Sequence, residues 1–193
     1  PSCTIFAAGG GNSAVPWAPL QQRPLHMVLV RGLGLPGPMY GHFVGTRDVP
    51  RLTITTHCDA NGHLLWYLGG ELAETGVKRD RQEQIRAARR ELTTLLPWVD
   101  WAHTQFATFT VKRAEARQDN GSRPVGPSVI RDGRTLVVWP TKLALAPLLA
   151  EQVEQMLRML DLRPKPADLR ILEDWPRPAV ATYPWDKEDV QWS

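Results

Sequence analysis

The residues that most suggest chemistry lie between Arg123 and Leu157, in the run RPVGPSVIRDGRTLVVWPTKLALAPLLAEQVEQML. The pattern predicts a short strand at 127–130, a tight turn at Asp132-Gly133, a second strand at 134–139, and a long amphipathic helix entered through Pro140-Thr141-Lys142. Asp-Gly supplies positive φ at little cost, and Thr135-Leu136-Val137-Val138-Trp139 is the unbroken β-branched and apolar sequence of a buried strand. A strand that passes into a helix through a short polar step aims the free amides of the helix start at whatever lies in front of it. That makes a site for a negatively polarised group. Other chemistries find no footing. His26, His42, His57, His63 and His103 lack the H-x-x-x-H or H-E-x-x-H spacing and form no zinc set with Cys58, so no metal is expected. His57 and Cys58 are neighbours on a predicted strand and so point to opposite faces, which argues against a nucleophile pair. There is no G-x-S-x-G elbow. Gly9-Gly10-Gly11 lacks the spacing of a phosphate-binding G-x-G-x-x-G turn. Gly32-Leu33-Gly34-Leu35-Pro36-Gly37 fits it loosely but has proline where a helix would open.

Two stretches carry a resemblance. Gly121-Ser122-Arg123-Pro124-Val125-Gly126-Pro127 followed by the hairpin and Leu143-Ala144-Leu145-Ala146-Pro147 resembles the C-terminal half of FAD-dependent oxidoreductases of the D-amino-acid-oxidase and glycine-oxidase superfamily. Cys3-Thr4-Ile5-Phe6-Ala7-Ala8-Gly9-Gly10-Gly11-Asn12 resembles that superfamily's second flavin motif, a strand ending in a small-residue turn. The resemblance implies FAD as cofactor. Ala8, Gly9, Gly10 and Gly11 would let the backbone approach it closely. Arg123 and Pro124 would belong to the contact segment, and Pro140, Thr141, Lys142 and Leu143 would lie at the pyrimidine edge of the flavin, where a helix start and an ammonium stabilise charge on reduction. A small amine, amino-acid or hydroxy substrate would give up a hydride, with Tyr40, His42, Trp66 and Tyr67 as groups that an antiparallel substrate-side sheet would present to it. No catalytic side chain is singled out. Two departures stand: Gly126 occupies the place of the carboxylate-clamping arginine, and the glycine-rich turn before the last helix reads Trp139-Pro140-Thr141-Lys142.

The elements that must position these residues follow from periodicity. Strands are expected at 4–8, 25–31, 39–44, 51–57 and 63–68, with Asn61-Gly62 as a type I′ turn, and a proline-interrupted connection at 12–24. Residues 80–96 read as a helix: Asp80 and Glu83 have capping-box spacing, Ile85, Ala88, Leu92, Leu95 and Leu96 share a face, and Pro97 stops it. Its Arg81, Arg86, Arg89 and Arg90 read as a solvated outer face. A long strand covers 105–117. The organising helix has Leu145, Leu148, Leu149, Val153, Met156, Leu157 and Leu160 at helical spacing, with Pro147 tolerable only near its start. The expected fold is α+β, one antiparallel or mixed sheet covered by two main helices. Residues 1–162 form the substrate-side and flavin-contacting portion, and 163–193 an irregular tail, with Pro164, Pro166, Pro176, Pro178 and Pro184 among Trp175, Trp185 and Trp192 and a short strand at 180–183.

Composition bounds the rest. The 193 residues suffice for a sizeable core, 42% hydrophobic and 22% charged is globular, and a net charge of +3 with dispersed basic residues gives little ground for nucleic acid. No apolar run approaches the roughly 20 residues of a membrane span. Two cysteines, Cys3 and Cys58, fit a reduced cytoplasmic protein. Pro1 stands almost directly before a buried-looking strand, from which a fragment is expected, inactive alone, whose partner is a missing N-terminal dinucleotide-binding half. The competing expectations are a self-standing α+β ligand- or protein-binding module and a nucleic-acid binder using the arginines of 80–96.

Overall fold

The computed structural model describes residues 2–46, 49–163 and 168–193; Pro1 and the tail residues Pro164 and Pro166 lie outside them. In chain order the elements are β1 (Thr4–Phe6), β2 (Leu20–Gly32), β3 (Gly41–Phe43), β4 (Leu52–Cys58), β5 (Leu64–Gly69), α1 (Glu71–Thr75), α2 (Arg81–Leu95), β6 (Thr104–Ala116), β7 (Ser128–Asp132), β8 (Thr135–Trp139) and α3 (Ala146–Met159). The class is α+β. The expected single sheet resolves into two, a three-stranded sheet in the order β1-β8-β7 and a five-stranded one in the order β3-β4-β5-β2-β6. Two compact units result: Pro1–Arg23 with Arg113–Pro178, and Pro24–Lys112 with Ala179–Ser193.

In the first unit β8 is the central strand, parallel to β1 (Thr4 opposite Thr135, Phe6 opposite Val137) and antiparallel to β7 (Ser128 opposite Trp139). Both its faces are covered, which is why its sequence does not alternate. Leu136 and Val138 pack with Leu149, Val153, Met156 and Leu157 of α3, while Val137 and Trp139 pack with Val15, Ala18 and Ala116. The β7–β8 turn is one residue later than expected: Asp132 pairs with Thr135, so Gly133, at φ 52°, takes the first central position, where a two-residue hairpin accepts glycine. Pro147 lies in the first turn of α3, after a 3-10 turn at Leu143–Leu145.

In the second unit Val28, Val30, Leu52, Ile54, Trp66 and Leu68 form one face of the five-stranded sheet, on which α2 lays Ile85, Ala88 and Leu92. The predicted capping box is complete: the Asp80 carboxylate accepts from Glu83 N at 2.8 Å and the Glu83 carboxylate accepts from Asp80 N at 3.0 Å. Gln84, unremarked in the sequence, is fully buried on this helix and donates through Nε2 to the carbonyls of His26 (2.8 Å) and Leu72 (3.0 Å), tying α2 to β2 and α1. The expected solvated arginine face is half engaged. Arg81 donates to the Gln191 carbonyl at 2.8 Å and Arg89 stacks over Phe106 at 4.1 Å, while Arg86 and Arg90 remain exposed.

The opposite face of this sheet is covered in part by the chain's own tail, with Thr55 exposed and Thr53 and His57 half-buried. Leu29, Leu65 and Ala107 pack with Trp185, Val190 and Trp192, and Trp185 donates through Nε1 to the Cys58 carbonyl at 3.2 Å. The strand expected at 180–183 does not form, and Val180 and Tyr183 are exposed.

The β4–β5 turn departs from the expected type I′. Asn61 has negative φ; only Gly62, at 80°, is left-handed, and its N–H donates to the Asp59 carbonyl at 2.9 Å. The Asp59 side chain sets this geometry by accepting from the N–H groups of Asn61 (2.9 Å) and His63 (2.8 Å). Burial opposes charge on Asp59, but the hydrogen bonds from His63 and Asn61 outweigh it and hold the carboxyl below its usual range. A depressed folded pKa contributes stability that is complete above the unfolded value, about 4, and is lost as pH falls through the folded one. Wild type is therefore expected to exceed Asp59→Asn in stability at neutral pH, with the gap closing below about pH 4, as read from urea midpoints across an acid series.

Candidate functional site

Because β1 and β8 run parallel, their carboxyl ends lie side by side, and a polypeptide turn leaves each of them. From β1 the chain enters a 3-10 turn at Gly9–Ala14; from β8 it enters Pro140-Thr141-Lys142. β7 runs the other way, with Ser128 opposite Trp139, so the segment carrying Arg123, Pro124 and Gly126 arrives at the same end. Three stretches distant in sequence thus meet at one edge of the three-stranded sheet. Ligands characteristically bind beyond the carboxyl ends of parallel strands, where backbone amides are free.

Polar braces hold these stretches together. Asn12, fully buried, accepts from Ala8 N at 3.0 Å and donates to the Val138 carbonyl at 3.2 Å, tying the small-residue turn to the end of β8. Trp139 returns the contact, its Nε1 donating to the Gly9 carbonyl at 3.3 Å. The Thr141 hydroxyl donates to the Gly126 carbonyl at 2.9 Å. Gln21 holds the arginine-proline segment by donating to the Ser122 carbonyl at 2.7 Å. Neither Asn12 nor Trp139 was singled out from sequence as a brace; the available signal was one amide-bearing residue closing a run of alanine and glycine.

Thr141 is strained. Its φ is 62°, a left-handed value that a β-branched residue seldom adopts, and Lys142 N donates back to the Pro140 carbonyl at 2.6 Å, closing a three-residue γ-turn around it. This is the position where the resembled sequences carry a glycine-rich turn. Strain of this kind persists where surrounding structure fixes it and gathers at ligand sites.

The predicted residues differ in what they present. Ala8, Gly10, Lys142 and Leu143 are exposed, Gly9, Arg123, Pro140 and Thr141 are half-buried, and Pro124 is buried. Gly9 takes φ 57°, and a Cβ built on it meets nothing within 4 Å, so open space lies in front of the turn. The side chains of Arg123 and Lys142 make no hydrogen bond or ion pair among the described residues, leaving two cations at this end of the sheet. No side chain caps the start of the Leu143–Leu145 turn or of α3; the Leu145 and Ala146 N–H groups donate to the Lys142 and Leu143 carbonyls, which leaves those of Leu143 and Ala144 as the amides at this start.

Tyr40, His42 and Tyr67 belong to the second unit. Tyr40, before β3, is 71% exposed. His42 is opposite Thr53 on edge strand β3, while Tyr67 is half-buried, with its ring edge-on to His57 and tilted against Phe109. Trp66 faces the other way: it is fully buried beneath α2, with Nε1 donating to the Gly37 carbonyl at 2.9 Å. Its part is structural. Among the described residues no cluster of His, Cys, Asp or Glu could hold a metal ion, and no helix is long and apolar enough to cross a membrane.

Comparison with known proteins gives a relative over nearly all of this chain. The "Probable FAD-dependent oxidoreductase PA4991" of Pseudomonas aeruginosa is 44% identical in an alignment 189 residues long that covers 94% of this chain and 48% of that protein. The crystal structure of the FAD dependent oxidoreductase PA4991 from Pseudomonas aeruginosa superposes with a TM-score of 0.82, covering 95% of this chain and 52% of that one. The chain therefore shares the relative's fold and spans about half its length. No family model matches the chain.

The braces yield two expectations for stability. Asn12→Ala leaves the buried Val138 carbonyl and the part-buried Ala8 N–H without their partner, at a cost of about 2 kcal/mol by denaturant titration. Thr141→Val keeps the left-handed strain and loses the bond to Gly126, costing about 1 kcal/mol, whereas Thr141→Gly loses the same bond but relieves a strain of about 1–2 kcal/mol and should stay near wild type. Equal losses in the two Thr141 variants would contradict the strain.

Proposed function

We propose that this chain is the flavin-contacting, substrate-side portion of an FAD-dependent oxidoreductase of the D-amino-acid-oxidase and glycine-oxidase superfamily. The observation that carries the reading is the convergence, at the carboxyl ends of β1 and β8, of the three segments that resemble that superfamily's flavin contacts. The 44% identity to a protein described as a probable FAD-dependent oxidoreductase supports it. The residues present also fit a flavin. Ala8 to Gly11 offer backbone unshielded by side chains, the uncapped turn at Leu143–Leu145 offers amides, and the side chains of Lys142 and Arg123 offer positive charge with no partner among the described residues.

When bound, FAD supplies hydride-accepting chemistry, and the substrate is a small amine, amino acid or hydroxy compound. The chain's own contribution is positioning and electrostatics. Asn12 and Trp139 keep the two turns in fixed relation, Thr141 holds the second to the arginine-proline segment, and Lys142 with the helix amides favours negative charge in front of them. Gly126 leaves no arginine to clamp a substrate carboxylate here, so that interaction must come from other residues. The dinucleotide-binding half is the partner this reading requires. Free Cys3 and Cys58 suit a cytoplasmic setting.

The test is the visible spectrum of the protein expressed from its complete reading frame, alongside the 193-residue chain. Flavin bands near roughly 375 and 450 nm in the long form, with none in the short one, are expected. A long form that stays colourless after added FAD would overturn the reading. In the flavin-loaded form, Lys142→Met should move the reduction potential to a more negative value, because a cation favouring the reduced, more negative state has been removed.

A further inference from the structure

The glycine-rich loop rejected as a phosphate turn, Gly32-Leu33-Gly34-Leu35-Pro36-Gly37, forms one wall of a groove of about 460 Å³ in the second unit. Arg31, Gln105, Asp59, His63 and Leu64 complete its lining. We infer that this groove binds a small organic carboxylate with an apolar body, taken up by the guanidinium of Arg31.

Three observations carry the assignment. The first is that Arg31 is held still. Its guanidinium lies over the Trp192 ring at 4.0 Å from the centroid, and its Nε donates to the Gln105 side chain at 2.9 Å. Those two contacts use one nitrogen and one face, and leave the terminal nitrogens without a hydrogen bond or ion pair among the described residues. A planar fork fixed in this way matches a carboxylate bidentately and loses little entropy on binding. Trp192 is itself fastened, since the next residue exchanges backbone hydrogen bonds with Phe106 (3.0 and 3.3 Å).

The second is that the wall is rigid and apolar. A Cβ at Gly32, whose φ is 130°, would collide with the His103 carbonyl, and one at Gly34 with the Asp100 carbonyl, so the loop is pressed onto neighbouring backbone at both glycines. Between them Leu33 stands 99% exposed, an apolar side chain with no packing partner of its own beside a groove of ligand size. The third concerns charge. Asp59 also lines the groove, but its carboxylate is held by the N–H groups of Asn61 and His63 and by the His63 ring at 3.3 Å, whereas the terminal nitrogens of Arg31 have no such partner among the described residues and are the donors free to take up a carboxylate.

The assignment stands apart from the flavin reading, because its test reads binding by heat with or without cofactor. Calorimetric titration of the protein from its complete reading frame with 4-phenylbutyrate and with 4-phenylbutyramide isolates the charge at constant shape. The acid is expected to bind about tenfold or more tightly than the amide, the margin of a charge-assisted pair. Arg31→Gln should reduce the acid to the level of the amide, and Trp192→Ala should weaken the acid with Arg31 intact. Leu33→Asp, at a site with no packing to lose, keeps the test decisive if Arg31→Gln folds poorly, and should weaken the acid more than the amide. Equal binding of acid and amide, acid binding unchanged in Arg31→Gln or Leu33→Asp, or no binding of either probe at millimolar concentration would overturn the inference.

Discussion

The parallel pairing of β1 with β8 is the constraint on which the first unit depends. It joins residues 4–6 to residues 135–137, so it must offset the closure entropy of a long intervening chain. A three-residue edge strand cannot do so through its ladder alone. The compensation lies in β8, whose two faces are both buried, Leu136 and Val138 against α3 and Val137 and Trp139 against a second apolar cluster. Parallel direction then has a geometric effect: both strands end at the same edge, and their turns become neighbours. Had β1 run antiparallel to β8, the small-residue turn and Thr141 would sit at opposite ends of the sheet.

Strand pairing brings the turns near each other, and polar groups then fix them. Asn12 and Trp139 each reach from one strand's end to the other's backbone, and Thr141 reaches to the segment before β7. These contacts are costly to lose, since a buried donor or acceptor without a partner costs more than a made bond contributes. They also explain how a β-branched residue is kept at positive φ. The turn around Thr141 is closed by its own backbone bond and its hydroxyl is engaged, so the strained conformation is held from two directions.

Much of this was legible in the sequence, for identifiable reasons. The continuous run at Thr135 to Trp139, the capping box at Asp80 and Glu83, and the helical stripe of α2 are local patterns, and each appears within a residue or two of where it was read. What was missed depends on distant partners. Alternation in β4 marked which residues turn outward, but not that Trp185 and Trp192, more than a hundred residues away, close over Leu29 and Leu65 on that face. Asn61-Gly62 looked like a type I′ turn until the Asp59 carboxylate imposed another geometry. Trp66 carried no mark to tell which face of its strand it took. The contact segments could be named from short motifs, whereas the braces between them could not, because Asn12 and Val138 are neighbours only after folding.

The loop at Gly32 and Gly34 separates exposure from pliability. An unshielded leucine is an inviting place for a protease to cut, but cleavage requires several residues on either side to peel away and lie extended in the enzyme's cleft. Here the backbone on both sides of Leu33 rests against the carbonyls of His103 and Asp100, with β2 immediately before it. A bond that is open to solvent is therefore denied the local unfolding that hydrolysis needs, and the protein can display an apolar side chain at this point without the loop becoming its first site of degradation.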